Sequence, residues 1–374
     1  MTQPAEATSR PGPGGSTLEP VRFRDLPGWD ADDHAAAFTV FRGGCETLLG
    51  TDPVLRPGLP PPAGLLKICR EALAEPPVGA DSRSWFEARF KAWRVKPAEG
   101  SPFLTGYYEP EIAGSTTRSE AFPIPALGRP DDLVTLRPGE APAGLDPTLQ
   151  AARRTPEGLR PYPDRAAIED GALDGKGLEL LWLPDRVELF LAQVQGSARV
   201  VLPDGGVRRL VYAGRNGWPY TSIGRVIVAE GHMDLETMTL AKLKAWLRAH
   251  PDDARRIMRL NRSYIFFALG EGMDPAAGPI GAASVPLTPW RSIAVDRTLW
   301  SYGLPVWLDL DLPTPGGSTR SFRALTVAQD TGSAILGPAR ADLFCGWGEE
   351  AGVVAGQVRH RPGFVVLLPA TDGE

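Results

Sequence analysis

The sequence has few of the residues from which metal centres and histidine-based catalytic sites are built. Its 374 residues include three cysteines and four histidines, and neither set has the spacing of a zinc site. The histidines are scattered along the chain, so a Ser–His–Asp type of triad has little material. We therefore expect neither a metal ion nor a cofactor.

The chain also lacks a basic excess and a long apolar run. Lys and Arg number 40 against 45 Asp and Glu, a formal net charge of −5, which argues against a nucleic-acid partner. No stretch approaches the roughly 18 apolar residues of a membrane helix. Residues 1–20 are rich in Pro, Gly and Ser and have no apolar core of a signal peptide. They are predicted to be a disordered tail, with no export signal or lipid anchor visible.

What the sequence does contain is glycine and proline, 42 and 38 residues respectively, with 43% hydrophobic and 23% charged residues. This composition is typical of a globular protein with many turns and short strands. The length favours two domains with a groove between them.

Helical spacing of apolar residues predicts three helices near the start, over residues 30–49, 62–75 and 82–93. Cys45 and Cys69 fall on the first two. Either a disulfide or two buried thiols would account for them. Two later helices are predicted over 235–249 and 252–260, followed by a strand over 261–267 that returns to the first domain.

Polar side chains mark three segments that could bind a ligand. In the strand FLTGYYEP, residues 103–110, alternation puts Thr105 and Tyr107 on one face. A helix that begins after Asp185 ends at Gln195-Gly196-Ser197. These residues either offer polar groups suited to a polyhydroxylated ligand or form an ordinary Gly cap followed by a turn. In GRNGWPYTSIG, residues 214–224, Trp218 and Tyr220 offer flat faces of the kind that stack on sugars.

Short strands with frequent turns follow residue 278 and suggest a small barrel. They are predicted over 284–287, 292–295, 305–310, 321–328, 351–354 and 363–368. Asp330 and Asp342 lie among them, in AQDTGSAILGPARADLFCGWG. An aspartate between aromatic and apolar residues loses hydration, which raises its pKa and suits a general acid. Alternatively, both are turn aspartates that bond their own backbone.

Six blocks in order make the chain resemble the membrane-bound lytic transglycosylase A (MltA) family of bacterial cell-wall enzymes. The blocks cover about 103–368 and read FLTGYYEP, QVQGSARV, YAGRNGWPYTSIG, NRSYIFF, GPIGAASVPLTPWRSIAVD and AQDTGSAILGPARADLFCGWG. The resemblance implies a mainly β fold with accessory α-helices: a double-psi β-barrel domain plus a smaller inserted β domain, with a substrate groove between them. Residues 21–109 would hold helices and the first part of the barrel, 110–268 the inserted domain, and 269–374 the rest of the barrel.

The resemblance also implies an activity. It is cleavage of the β-1,4 bond between N-acetylmuramic acid and N-acetylglucosamine of peptidoglycan, which leaves 1,6-anhydromuramyl ends. Asp342 would be the single catalytic acid and then base, and Asp330 would support it. Glu109 is assigned no catalytic role. The substrate-binding residues would be Thr105, Gly106, Tyr107, Gln195, Gly196, Ser197 and Tyr220.

The same resemblance implies a monomer in the periplasm or at the outer membrane that binds glycan strands and contacts cell-wall synthesis or division proteins. Two other functions stay open. One is an inverting, endoglucanase-like hydrolase with Asp330 or Asp309 as base, which would leave free reducing ends. The other is a wall-binding module that does not cut glycan, in which Asp342 would be dispensable.

Overall fold

Strands predominate over helices in the computed structural model, which describes residues 8–77, 81–136, 141, 144–274, 276–313 and 318–370. The helices are α1 (His34–Leu49), α2 (Ala63–Ala74), α3 (Asp81–Arg89), α4 (Arg165–Glu169), α5 (Arg186–Gln195), α6 (Ile223–Ala229), α7 (Leu240–Ala249), α8 (Pro251–Leu260) and α9 (Gly348–Gln357). The strands of the first half are β1 (Arg10–Pro11), β2 (Thr17–Val21), β3 (Phe90–Lys96), β4 (Phe103–Glu109), β5 (Glu111–Ala113), β6 (Ile124–Leu127), β7 (Leu133–Thr135), β8 (Ala151–Thr155), β9 (Gly158–Arg160) and β10 (Glu179–Leu183). Those of the second half are β11 (Ala198–Val201), β12 (Val207–Arg215), β13 (Ile265–Leu269), β14 (Ser292–Val295), β15 (Pro305–Pro313), β16 (Thr319–Asp330), β17 (Arg340–Trp347), β18 (Arg359–His360) and β19 (Gly363–Pro369). The predicted mainly β chain with accessory helices is confirmed.

Contacts within the chain divide it into two units. The first takes the residues up to Tyr107, then Ile280–Gly346, and those from Val354 onward. The second takes Tyr108–Pro279 and Trp347–Val353. The chain therefore crosses between the units four times: within β4, between Pro279 and Ile280, near the end of β17 and within α9.

A ten-stranded sheet organises the first unit, in the order β1-β2-β3-β19-β15-β16-β14-β17-β4-β18. Its centre is mixed, because β14 pairs in parallel with β16 and antiparallel with β17. Apolar side chains such as Trp307, Leu325 and Leu343 are fully buried in the core that the sheet shares with α1 and α2. The sheet brings strands that are distant in sequence next to each other, which positions the candidate site described below.

The prediction of a disordered tail is wrong for the described residues 8–20. Strand β2 pairs with β3 over Thr17–Val21, and Leu18 is 3% exposed in the core of the first unit. A partner strand satisfies the backbone of this segment, which its Pro/Gly-rich composition alone did not indicate. Residues 1–7 lie outside the described part of the chain.

The first two predicted helices are confirmed with shifted ends, and a disulfide joins them. Asp33 caps α1 by accepting a hydrogen bond from the Ala36 N–H at 2.9 Å. Cys45 on α1 and Cys69 on α2 are disulfide-bonded, which decides between the two alternatives. A covalent link between neighbouring helices stabilises their packing by restricting the unfolded chain.

The third predicted helix is wrong over its last four residues, 90–93, because α3 ends at Arg89 and β3 begins at Phe90. Phe90 and Trp93 are 2% and 6% exposed and belong to a strand that pairs with both β2 and β19. Aromatic residues favour strands when a partner is available. Their local spacing suits a helix equally well, so only the partner strands decide.

The second unit has a four-stranded sheet in the order β13-β12-β11-β5 and a helical cluster around α5, α6, α7 and α8. The prediction for α5 is confirmed at both ends. Asp185 caps it by accepting from the Glu188 N–H at 2.8 Å, and Gly196 ends it with a φ of 88°. A residue with a side chain would be strained in the left-handed conformation that Gly196 adopts.

Four other predicted elements are corrected. The strand predicted over 261–267 is β13, and it pairs with β12 in the second unit rather than returning to the first. The helix predicted over 235–249 begins only at Leu240, after the Thr239 cap. The strand predicted over 351–354 lies within helix α9, and residues 284–287 form only an isolated bridge. Short apolar runs do not distinguish a strand from a buried helix.

Candidate active site

Asp342 lies near the start of β17, with its side chain half-buried. The strand places apolar residues on both sides of it, since Ala341 and Leu343 are fully buried. In this position the carboxyl is partly shielded from water. Burial therefore raises the pKa of Asp342 to about 6, which puts a transferable proton on it in mildly acidic conditions.

Thr105 on β4 is the hydrogen-bond partner of Asp342. Its hydroxyl donates to Asp342 Oδ1 at 2.7 Å, although the two residues are 237 positions apart. The same hydroxyl oxygen accepts from Arg340 Nη2 at 2.7 Å. The hydrogen bond from Thr105 and the charge of Arg340 both favour the carboxylate, but they only partly offset the effect of burial.

Asp330, the last residue of β16, is held by a separate set of donors. Tyr107 Oη donates to Asp330 Oδ2 at 2.8 Å, and the Ala282 N–H donates to Oδ1 at 2.9 Å. Burial raises the pKa of Asp330, and these hydrogen bonds oppose the rise. Burial also raises the pKa of Tyr107 well above its usual range, so its hydroxyl stays a donor.

Sheet register relates the two aspartates. In β14, Ala294 is aligned with Asp330 on one side and with Asp342 on the other. Strand spacing of about 4.8 Å puts the two backbones about 10 Å apart. Since Thr105 and Tyr107 lie on the same face of β4, one strand supplies a hydroxyl donor to each aspartate.

Gly106 lies between those two donors in a position with no room for a side chain. A Cβ there would come within 2.9 Å of Ala355 Cα and 3.1 Å of Cys345 Sγ. Such contacts are shorter than packed atoms tolerate, so the backbone of β4 approaches β17 and α9 only because residue 106 is glycine. Gly106 thus acts through packing in this structure.

The other predicted ligand-binding residues belong to the second unit. Gln195 is half-buried at the end of α5, and its Oε1 accepts from the Tyr108 N–H at 3.1 Å. Gly196 caps the helix, and Ser197 is 6% exposed. Tyr220 is half-buried, and burial raises its pKa.

Trp218 does not offer two open faces for a sugar. The guanidinium of Arg262 lies 3.3 Å from the centre of its ring, and its indole N–H donates to Tyr162 O at 2.7 Å. One face is therefore occupied by a cation. Stacking of a sugar on the other face of Trp218 stays a prediction.

Glu109 belongs to a buried ion cluster. It is fully buried and pairs with Arg199 at 2.9 Å and Arg209 at 2.6 Å, two residues that face each other across the β11–β12 hairpin. Both guanidinium groups also donate to Ala277 O, and the guanidinium carbon of Arg199 lies 4.2 Å from the centre of the Trp347 ring. Removing one member of a buried ion cluster leaves an unpaired charge, which costs about 3–5 kcal/mol.

The sequence did not single out Arg340 and Ala282 as site residues. A signal was present for Arg340, because residues two apart on a strand share a face and Arg340 precedes Asp342 by two. No signal was present for Ala282, which contributes a backbone N–H. Among the described residues, no cluster of His, Cys, Asp and Glu is arranged to hold a metal ion.

Comparison with known proteins relates these features to a family. A model of the MltA specific insert domain matches residues 103–268, and a model of the 3D domain matches 291–368. A membrane-bound lytic murein transglycosylase A of Vibrio cholerae is 30% identical over 267 residues, 70% of this chain. The chain spans 64% of the length of that relative.

Solved structures give the same relationship over nearly the whole chain. A membrane-bound lytic murein transglycosylase from Agrobacterium tumefaciens is 38% identical with a TM-score of 0.84, covering 94% of this chain and 97% of that one. The structure of E. coli MltA with bound chitohexaose is 25% identical with a TM-score of 0.68, covering 99% and 100%. In the part of this chain that the structure describes, no helix is long and apolar enough to cross a membrane. From the matched domains and these relatives, the chain belongs to the membrane-bound lytic murein transglycosylase A (MltA) family of peptidoglycan lytic transglycosylases.

Proposed function

We propose that this protein cleaves the β-1,4 bond between N-acetylmuramic acid and N-acetylglucosamine and leaves 1,6-anhydromuramyl ends, with Asp342 as the only catalytic acid and base. The observation that carries the proposal is the environment of Asp342. Its pKa is raised to about 6 by burial, and the hydroxyl of Thr105 holds it at 2.7 Å. A carboxyl in this state can donate a proton and then accept one.

One carboxyl is sufficient because the attacking group is part of the substrate. An ordinary glycosidase uses a second carboxylate to activate water or to attack the sugar. In the proposed reaction, Asp342 protonates the leaving glycosidic oxygen. It then takes the proton from the C6 hydroxyl of the same muramyl residue as that oxygen attacks C1. Covalent attachment gives this hydroxyl a very high effective concentration.

Asp330 is proposed to support the site rather than to act as a base. Both of its oxygens accept hydrogen bonds, from Tyr107 and from the Ala282 N–H. These bonds fix the orientation of the carboxyl, and each oxygen keeps a second lone pair, so product analysis decides between the transglycosylase and the inverting hydrolase. Asp309, the other proposed base, forms an ion pair with Arg323 at 2.9 Å.

Substrate, domain organisation and location are proposed from the family. The E. coli relative is solved with chitohexaose, a chain of N-acetylglucosamine units, and we expect peptidoglycan strands to bind this protein with contributions from Gln195, Ser197 and Tyr220. We also propose that the first unit contains a double-psi β-barrel and that residues 110–268 form an inserted domain. A periplasmic, outer-membrane-associated location follows from the membrane-bound relatives.

Product analysis tests the function directly. Purified sacculi are incubated with the protein and the soluble fragments are identified by mass spectrometry. Fragments with 1,6-anhydromuramyl ends are expected. They are lighter by one water than the fragments with free reducing ends that a hydrolase releases. Bound but uncut glycan would instead indicate a wall-binding module.

A further inference from the structure

Arg340, Thr105 and Asp342 form a chain of three side chains joined at one oxygen. Arg340 Nη2 lies 2.7 Å from Thr105 Oγ1, and Thr105 Oγ1 lies 2.7 Å from Asp342 Oδ1. A guanidinium group can only donate hydrogen bonds. Thr105 must therefore accept from Arg340, and its single hydroxyl hydrogen is left to point at Asp342.

This arrangement distinguishes the two oxygens of Asp342. Oδ1 accepts the Thr105 hydrogen. A protonated carboxyl carries its hydrogen on one oxygen, and a hydrogen on Oδ1 would compete with the bond from Thr105. The acidic hydrogen is therefore favoured on Oδ2, which has no hydrogen-bond partner among the residues that the structure describes.

We propose that Arg340 is a positioning residue, which fixes the Thr105 hydroxyl as a donor and so confines the transferable proton of Asp342 to Oδ2. The inference rests on the proposed function, in which Asp342 is the acid. The Oδ2–H bond breaks as the proton moves to the glycosidic oxygen and the C1–O4 bond breaks. Oδ2 then accepts the C6 hydroxyl proton as the C1–O6 bond forms, so the carboxyl is restored without another reactant.

The guanidinium is held on the hydroxyl rather than on the carboxylate. The structure records no direct ion pair between Arg340 and Asp342 within its described ranges. A direct pair with an opposite charge lowers the pKa of a carboxyl by about 1–3 units, which would deprive Asp342 of its proton. The ring of Phe103, 5.2 Å from the guanidinium, packs against Arg340 in this position.

Several other groups also influence Asp342, and the test must separate them from Arg340. Asp330 on β16 opposes its ionisation, whereas Arg340 favours it. Burial raises the pKa values of Tyr107 on β4 and Cys345 on β17, and the Asp342 charge raises them further. Both stay neutral in the pH range of interest, so Arg340 is the nearby positive group whose removal changes the field at Asp342.

The test measures kcat/KM against pH for release of anhydro ends from purified glycan strands, in wild type and in variants at two positions. Arg340→Met removes the guanidinium and keeps a long apolar side chain, whereas Arg340→Lys keeps the charge without the planar fork. Thr105→Val removes the hydroxyl, and Thr105→Ser is its matched control. Circular dichroism and thermal unfolding check that each variant is folded.

We expect Arg340→Met to slow turnover about tenfold, because one charge-assisted hydrogen bond is lost. The alkaline limb of the plot of kcat/KM against pH should also move up by about 0.5–1 pH unit. Arg340→Lys is expected to leave the limb in place. Thr105→Ser should retain most activity. In the Thr105→Val background, Arg340→Met should slow turnover little further, because Arg340 acts through the hydroxyl.

Two results would overturn the inference. One is a wild-type rate and pH profile in Arg340→Met. The other is a double variant whose loss is the product of the single losses, which would show that Arg340 acts independently of Thr105. If Arg340→Met does not fold, Arg340→Leu, alone and with Thr105→Val, makes the same comparison. The proposed function fails separately, if wild type releases no anhydro ends or if Asp342→Asn still does.

Discussion

Asp330 and Asp342 lie on opposite sides of β14, and both are in register with the same residue, Ala294. With two strand spacings between their backbones, about 10 Å, each aspartate has its own hydroxyl donor from β4. They still interact through their charges, since burial is the main cause of the raised pKa of Asp342 and the charge of Asp330 adds to it. The geometry therefore supports unequal roles, a proton donor and a neighbour that helps to keep it protonated.

Replacing the acid should stop the reaction and leave the fold intact. For Asp342→Asn we expect a loss of at least about 100-fold in release of anhydro ends, because general acid catalysis contributes roughly 10²–10⁴. Binding to sacculi should change little, since the amide keeps the shape of the side chain. Asp309→Asn, on β15, is the matched control and should keep wild-type activity. Substantial activity in Asp342→Asn would contradict the mechanism.

Activity should fall as the pH rises through the pKa of Asp342. The acid must be protonated in the free enzyme, and burial raises its pKa to about 6. A plot of log kcat/KM against pH should therefore bend near pH 6 and decline with a slope of about −1 above it. A profile that stays flat to pH 8 would show that another group supplies the proton.

The same raised pKa makes a prediction about stability. A group whose folded-state pKa lies above its unfolded value of 3.8 stabilises the fold below that value and loses this contribution as the pH rises to about 6. Asn does not titrate. Relative to wild type, Asp342→Asn should gain about 1–3 kcal/mol in the free energy of unfolding between pH 4 and pH 8. Urea unfolding at both pH values measures the difference, and an unchanged difference would rule out the raised pKa.

Removing the support that Asp330 gives to the site should slow the reaction less than replacing the acid, Asp342. Tyr107→Phe removes the hydrogen bond between these residues and Asp330→Asn removes the charge that strengthens it, and a bond to a charged group is worth about 1.5 kcal/mol. That corresponds to about a tenfold loss of turnover. Steady-state rates of anhydro-end release give the comparison. A loss as large as that of Asp342→Asn would mean that the two aspartates act as one unit.

Gly106 should not tolerate a side chain. Gly106→Ala places a methyl group within 2.9 Å of Ala355 Cα, and overpacking costs about 1–3 kcal/mol. Gly43 in α1 is the control, since a Cβ there meets nothing within 4 Å. Alanine stabilises a helix interior by roughly 0.5–1 kcal/mol relative to glycine, so Gly43→Ala should raise the melting temperature where Gly106→Ala lowers it. Two equal melting temperatures would contradict the packing argument.

Some elements could be predicted because their signals are local. Helix α5 has Asp185 as its cap and Gly196 as its end, and both act on backbone groups within one turn. Other predictions failed where the partner is distant. Trp93 belongs to a strand because β2 and β19 flank it, and residues 351–354 are helical although they read as a short strand.

The sequence by itself determined the residue types of the site, the alternation that puts Thr105 and Tyr107 on one face of β4, and the family to which the ordered motifs belong. Only the tertiary structure decided which side chains meet. Thr105 reaches Asp342 across 237 positions, and Arg340 reaches Thr105 across 235. Such contacts depend on strand order and register, which the summed packing of the whole sheet sets and which no local pattern encodes.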